Sequence, residues 1–175
     1  MTEGRLTPLD WNDREQFILD NQKAFLYGAT EEFGLRDDHF EEDGEIISRK
    51  TIEEALNEGP AFRILHEGRV VGGLVLKFQG TRGFLELLFT NPGEHSKGFG
   101  YAAWRAVEDA FPDVEVWETL TPYFEKRNIH FYVNRCGFHI VEFFNEKHRG
   151  SQTTPDGSGD ELDGMFRFEK MMKKG

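Results

Sequence analysis

The residues best suited to chemistry lie in one stretch, Thr90-Asn91-Pro92-Gly93-Glu94-His95-Ser96-Lys97-Gly98-Phe99-Gly100-Tyr101. An apolar strand pattern ends here, a polar turn follows, and a helical pattern begins. The first amides of a helix have no partner inside it, so they point outward as donors at the positive end of the helix dipole. Gly98 and Gly100 carry no β-carbon to hold a phosphate off the backbone, and Lys97 adds a positive charge. The segment has the makings of a pyrophosphate cradle.

The rest of the chain repels anions. Twenty-one basic residues against 32 acidic ones leave a formal charge of −11, which argues against duplex DNA or an anionic membrane as partner. Screening over about 8–10 Å confines the repulsion, so local donors decide whether a polyanion binds. Two other readings of the loop exist. One is a helix start with no ligand. The other is a dinucleotide fingerprint, Gly98-x-Gly100-x-x-Ala103, with Glu118 about 20 residues on as the ribose-binding acid. That fingerprint belongs in an early parallel unit, whereas this loop comes after three expected meander strands.

Among single residues, Glu86 stands out because it interrupts the apolar run Phe84-Leu85-Leu87-Leu88-Phe89. A carboxylate there is costly unless it is paired or exposed in a cleft. Cys136, the only cysteine, shares an apolar stripe with Ile129, Tyr132 and Val133 and reads as a packed thiol. A lone cysteine admits no internal disulfide and fits a reducing, cytoplasmic setting. The six histidines share no ligand-like spacing, so no metal is expected. No apolar run approaches the roughly 18 residues of a membrane span, and the N-terminus lacks a signal pattern.

The elements that must position these residues follow from period and punctuation. Leu6 and Leu9 near Pro8 suggest a short first strand, followed by a helix from Asn12 or Asp13 to Tyr27 that Gly28 stops. Residues 31–45 are strongly acidic. Thr51-Ile52-Glu53-Glu54 reads as a capping box that starts a helix to about Glu58, ended by Gly59-Pro60. Ala61–His66 and Val70–Phe78 flank a tight turn at Glu67-Gly68-Arg69, and Phe84–Thr90 completes an antiparallel meander. A helix after Gly100 has Phe99, Ala103, Ala106, Val107 and Ala110 on one face. Val114–Thr119 is the next strand, Thr121-Pro122 is expected to open a helix running to Gly137, and Phe138–Phe144 and Met165–Met171 are the last strands. The expected fold is α+β in one domain over residues 1–175: a mixed, mostly antiparallel central sheet flanked by helices, with residues 146–162 a mobile loop.

The Thr90–Tyr101 segment resembles the coenzyme-binding motif of the GNAT (GCN5-related N-acetyltransferase) superfamily. That motif has a strand, then x-Pro, then Arg/Gln-x-x-Gly-x-Gly/Ala. Here Thr90-Asn91-Pro92 leads to Gly98-Phe99-Gly100 with the family spacing, and Gly137-Phe138 is a family-like ending. The resemblance spans roughly residues 61–144. It implies a GNAT-like fold and acetyl transfer from acetyl-CoA to a primary amine by direct attack. It also implies that Ser96, Lys97, Gly98, Phe99, Gly100 and Tyr101 meet the pyrophosphate. His95 stands where the family has Arg or Gln, so a fixed charge is missing there. Backbone groups of Leu88, Phe89 and Thr90 are expected to pair with the pantetheine arm as an added strand, and Asn128 to contact the same arm.

Such a transfer needs a base for the amine and an acid for the departing thiolate. Glu86 is the first candidate for the base and Glu118 the second. The family places its acid, a tyrosine, four residues before the Gly-Phe pair. Here Val133 holds that position, and Tyr132 lies one residue earlier. One residue turns an α-helix by about 100°, enough to point the phenol elsewhere unless an altered helix end restores its direction; otherwise Tyr132 is a core residue of its apolar stripe. By the same resemblance the acidic stretch borders the acceptor pocket and would favour a cationic amine, although a solvated acidic loop is the simpler explanation. The resemblance also admits a homodimer. A catalytically silent acyl-CoA-binding module and a dinucleotide-dependent oxidoreductase are the alternatives.

Overall fold

Consecutive positive φ angles at Glu67 (52°) and Gly68 (77°) close a two-residue hairpin, the turn geometry whose twist matches paired strands. In the computed structural model, residues 4–30, 45–94, 97–148 and 162–172 are described. Strands are β1 (Arg5–Pro8), β2 (Ala61–His66), β3 (Arg69–Gln79), β4 (Arg82–Thr90), β5 (Val116–Pro122), β6 (His139–Phe143) and β7 (Met165–Met171). Helices are α1 (Arg14–Thr30), α2 (Arg49–Glu58), α3 (Phe99–Ala110) and α4 (Lys126–His130). The class is α+β, and the pairings β1–β2, β2–β3, β5–β7 and β6–β7 are antiparallel. Contacts group into two compact units, Met1–Phe78 with Leu85–Pro112 and Gln79–Phe84 with Asp113–Gly175.

In the first unit the strands run in the order β1-β2-β3-β4. Alternation along β4 sends Leu85, Leu87 and Phe89 inward and leaves Glu86 exposed. Phe17 and Ile18 of α1, Ile52 and Ala55 of α2, and Val75 of β3 meet Leu87 and Phe89 in one apolar cluster. Burying side chains of this size contributes about 1.5–3 kcal/mol each. Gly73 makes the close packing possible: a β-carbon there would come within 2.4 Å of the Phe17 ring, which meets Phe89 edge to face at 5.2 Å. Arg63 is buried and held by Asp13 (2.7 Å) and Asp20 (3.1 Å), tying α1 to β2.

Three expectations shift in this unit. α1 continues past Gly28 to Thr30, since one glycine weakens a helix without ending it. α2 starts three residues earlier than the capping-box reading, because Ser48 is the cap: its Oγ accepts from the Thr51 amide at 3.1 Å. In α3, which begins at Phe99, Trp104 joins Phe99, Ala103 and Val107 in the core, while Ala110 is exposed.

In the second unit the order is the start of β4, then β5, β7 and β6. Trp117 is fully buried and packs on Gly83, where a β-carbon would lie 2.5 Å from its ring. Pro122 does not open a helix. It is the last residue of β5, opposite Met165, and its carbonyl accepts from the Glu125 amide at 3.1 Å in the turn that leads to α4. Proline lacks only a donor, so it fits a strand end as well as a helix start. Asn145 and His148 bridge a tight turn, with Asn145 Oδ1 accepting from the Lys147 and His148 amides at 2.9 Å. The beginning of the expected 146–162 loop is therefore a built turn, and residues 149–161 lie outside the described residues.

Candidate functional site

Two glycines at positive φ, Gly93 and Gly98, shape the described parts of the loop between β4 and α3. Asn91 donates its amide to the Val71 carbonyl at 2.8 Å, and the Glu94 amide returns to the Asn91 carbonyl at 2.9 Å. With Pro92 second and Gly93 third at φ 88°, Asn91–Glu94 is a type II turn. Gly98 then sits at φ 82°, ψ 9° as the N-cap of α3, without a side-chain hydrogen bond. The first ladder bond runs from the Ala102 amide to the Gly98 carbonyl at 3.0 Å, so the Phe99 and Gly100 amides precede it. Phe99 anchors the helix start with a buried ring that meets His66 at 4.9 Å. Tyr101 follows in the first turn, half-buried.

Charge at this loop comes partly from outside it. Lys97 Nζ is 3.3 Å from Glu94 Oε2, and Arg69, the first residue of β3, pairs with Glu94 Oε1. Neither Arg69 nor Glu94 was among the site residues expected from the sequence. The hairpin itself carried the signal, since an antiparallel return sets the beginning of β3 beside the end of β4. His95 and Ser96 lie outside the described residues. Leu88 and Thr90 share the β4 face of Glu86, and the Phe89 carbonyl lies against Gly72, where a β-carbon would come to 2.1 Å.

The remaining candidates belong to the second unit. After α4 the chain widens into a π turn over Phe131–Arg135: the Cys136 amide reaches five residues back to the Phe131 carbonyl at 2.9 Å. Gly137 at φ 86° ends it, and the Phe138 amide bonds the Tyr132 carbonyl at 2.9 Å. The helix end is therefore irregular. Tyr132 is 8% exposed, with Phe138 and Phe168 rings both at 5.7 Å. Burial pushes its phenol well above the ordinary range and nearby Cys136 adds to this, while a hydrogen bond with Thr119 opposes it. Cys136 itself is buried, as its stripe suggested.

Glu118 is committed to an ion network: Arg167 Nη1 lies 2.8 Å away and Arg82 Nη1 3.7 Å. The same arginines hold Glu169, at 3.0 and 2.7 Å, and Arg167 Nε reaches Glu142, whose other oxygen meets His148 at 2.6 Å. Exposed Asn128 donates to Thr121 Oγ1 over a long 3.4 Å. Glu86, Leu88, Phe89, Thr90, Lys97, Gly98, Phe99, Gly100 and Tyr101 thus follow one another along strand, loop and helix in the first unit. Glu118, Asn128 and Tyr132 stand in the second.

The class so defined is an α+β fold with a glycine-shaped loop between a meander strand and a helix whose N-cap is a glycine. It is not the parallel doubly wound sheet on which dinucleotide fingerprints sit, which sets the oxidoreductase reading aside. Residues 13–138 match the acetyltransferase (GNAT) family. An uncharacterized protein of Bacillus subtilis (strain 168), YrkN, is 43% identical over 172 residues, covering 93% of this chain and 90% of its own. The structure is similar to the ribosomal-protein-S18-alanine N-acetyltransferase of Escherichia coli, at TM-score 0.67 and 13% identity over 98% of this chain and 96% of that one. It is also similar to spermidine N-acetyltransferase from Vibrio cholerae in complex with CoA and spermine, at TM-score 0.64 and 15% identity over 97% and 95%. The chain belongs to the GNAT acetyltransferase family.

Proposed function

We propose that this protein is an acetyl-CoA-dependent N-acetyltransferase whose residues 1–175 act as one domain on a primary amine. The observation that carries the proposal is the left-handed Gly98 cap, which starts α3 without a side chain over the amides that follow. The pyrophosphate would take the amides from Ser96 to Tyr101, on both sides of that cap. The pantetheine arm would pair with the backbone of β4, at Leu88 and Thr90 in preference to Phe89, whose carbonyl is turned to Gly72.

Transfer then proceeds by direct attack. Glu86, exposed on β4, takes the proton of the acceptor amine, and the amine nitrogen bonds the thioester carbon. The C–S bond breaks, and Tyr132 protonates the departing thiolate. The π turn supports that role, because it absorbs the extra residue between Tyr132 and Gly137. Glu118 is the weaker candidate for the base, since its carboxylate is engaged by Arg167 and Arg82. We place the protein in the cytoplasm and favour a cationic acceptor, in keeping with the acidic 31–45 stretch and with a fold neighbour that acts on spermidine.

Calorimetry with acetyl-CoA and CoA, followed by a thiol-release assay over polyamines, amino acids and peptide N-termini, tests the reading. Saturable binding lost in Gly98→Glu, with turnover on at least one amine, is the expected result. Binding without turnover on any amine would leave a silent acyl-CoA module instead. Equal affinity in Gly98→Glu would reject the site.

A further inference from the structure

We propose that Arg69, presented by the β2–β3 hairpin, is a phosphate-binding residue of the coenzyme loop, and that Glu94 holds it and Lys97 until the ligand's phosphates replace the carboxylate. The proposal rests on the reading of this loop as the coenzyme cradle.

The charge balance of the loop motivates it. A chain of net charge −11 must meet a polyanion with local cations, and His95 carries no permanent charge where one is expected. Among the described residues, Lys97 and Arg69 are the cations bound to this loop, and each takes a different oxygen of Glu94. The carboxylate is the sheltered member of the cluster, 13% exposed, whereas both cationic side chains are about half exposed. One carboxylate thus holds both cations at the rim of the loop. A phosphate of higher charge can compete with Glu94 for the two half-exposed cations. Arginine suits the task, because its planar fork presents five N–H donors and pairs with phosphate through two of them.

The fold explains why Arg69 is available. The hairpin turn at Glu67-Gly68 ends on Arg69. Two residues later the Val71 carbonyl accepts from Asn91, the first residue of the loop. On the other side of the turn, His66 packs on Phe99 at the start of α3. Hairpin, loop and helix start are thereby fastened together within the first unit, and Arg69 projects from that corner.

The alternative is that Arg69 merely staples the loop through Glu94, and substitution of Glu94 separates the two roles. Acetyl-CoA affinity is measured by calorimetry for wild type, Arg69→Gln, Arg69→Lys, Glu94→Gln and Gly98→Glu, at low and high salt and with melting temperatures alongside. A charge-assisted phosphate contact predicts a roughly 10- to 100-fold loss in Arg69→Gln and a shallower salt dependence. Arg69→Lys should recover only part of the affinity, and Glu94→Gln should bind as well as wild type or better. Repeating the series with dephospho-CoA assigns the contact: a retained effect of Arg69→Gln indicates the pyrophosphate, and a lost one the 3′-phosphate. Arg69→Gln binding within twofold of wild type, while Gly98→Glu does not bind, overturns the role of Arg69. So does an equal loss in Glu94→Gln and Arg69→Gln. A wild-type protein that fails to bind acetyl-CoA removes the cradle itself, and the proposal with it.

Discussion

Tyr132→Phe separates chemistry from packing with one atom. The substitution removes the phenol oxygen and keeps the ring, so the contacts with Phe131, Phe138 and Phe168 at 5.4–5.7 Å persist. What is lost in stability is the hydrogen bond with buried Thr119, about 1–2 kcal/mol. For a chain of this size that lowers the melting temperature by roughly 2–8 °C. If the phenol protonates the thiolate, kcat falls by about 10²–10⁴, which is some 2.7–5.5 kcal/mol of barrier. The two effects differ enough to be read independently by differential scanning calorimetry and thiol release at saturating substrates. Affinity for acetyl-CoA should stay within twofold. Because burial holds the phenol above its ordinary range, the donor form persists through pH 10, and wild-type kcat should show no tyrosine-dependent alkaline fall below that point. A variant with the expected melting shift but kcat within threefold of wild type would refute the role and return Tyr132 to the core.

Glu86→Gln should lower kcat/KM at pH 7 by at least about 100-fold, with acetyl-CoA affinity unchanged, and the deficit should shrink toward pH 10 as the acceptor amine loses its proton unaided; a pH-independent deficit would contradict a role as base. Gly83→Ala drives a β-carbon to 2.5 Å from the buried Trp117 ring, so overpacking of about 1–3 kcal/mol should lower the melting temperature by roughly 2–12 °C; an unchanged melt would mean that Trp117 yields. Glu142 is held below the ordinary carboxylate range first by His148 and then by Arg167, and Glu169 by Arg82 and then by Arg167. Their folded pKa values lie below the unfolded ones, so their stabilisation is full above about pH 5 and is lost as pH falls through the depressed values. Melting temperature should therefore drop from pH 6 to pH 3, and less steeply in Glu169→Gln.

The parts of this fold that could be read in advance are those where one residue type has a single physical use. Glu67-Gly68 and Gly93 close turns that need positive φ, and the alternation of Leu85, Leu87 and Phe89 can satisfy only a strand with one buried face. Errors fell where a residue serves two purposes. Thr51 and Ser48 can both cap a helix, and Pro122 suits a strand end as well as a first helical position. The turns between β4 and α3 were legible because Pro92, Gly93 and Gly98 lie close together in the chain. Arg69 was not, because it comes 25 residues before Glu94 and meets it only through strand pairing. The π turn also escaped direct reading: a single extra residue between Tyr132 and Gly137 signalled an irregularity without saying how it would be absorbed.

Cys136 carries the only sulfhydryl of the chain, and it is sealed beneath the π turn at 3% exposure. Disulfide indicators added to follow released coenzyme will therefore meet little competing reaction from the polypeptide, and purification in air should not produce cross-linked pairs. A second cysteine introduced at exposed Tyr123 would then be the one position open to a maleimide dye.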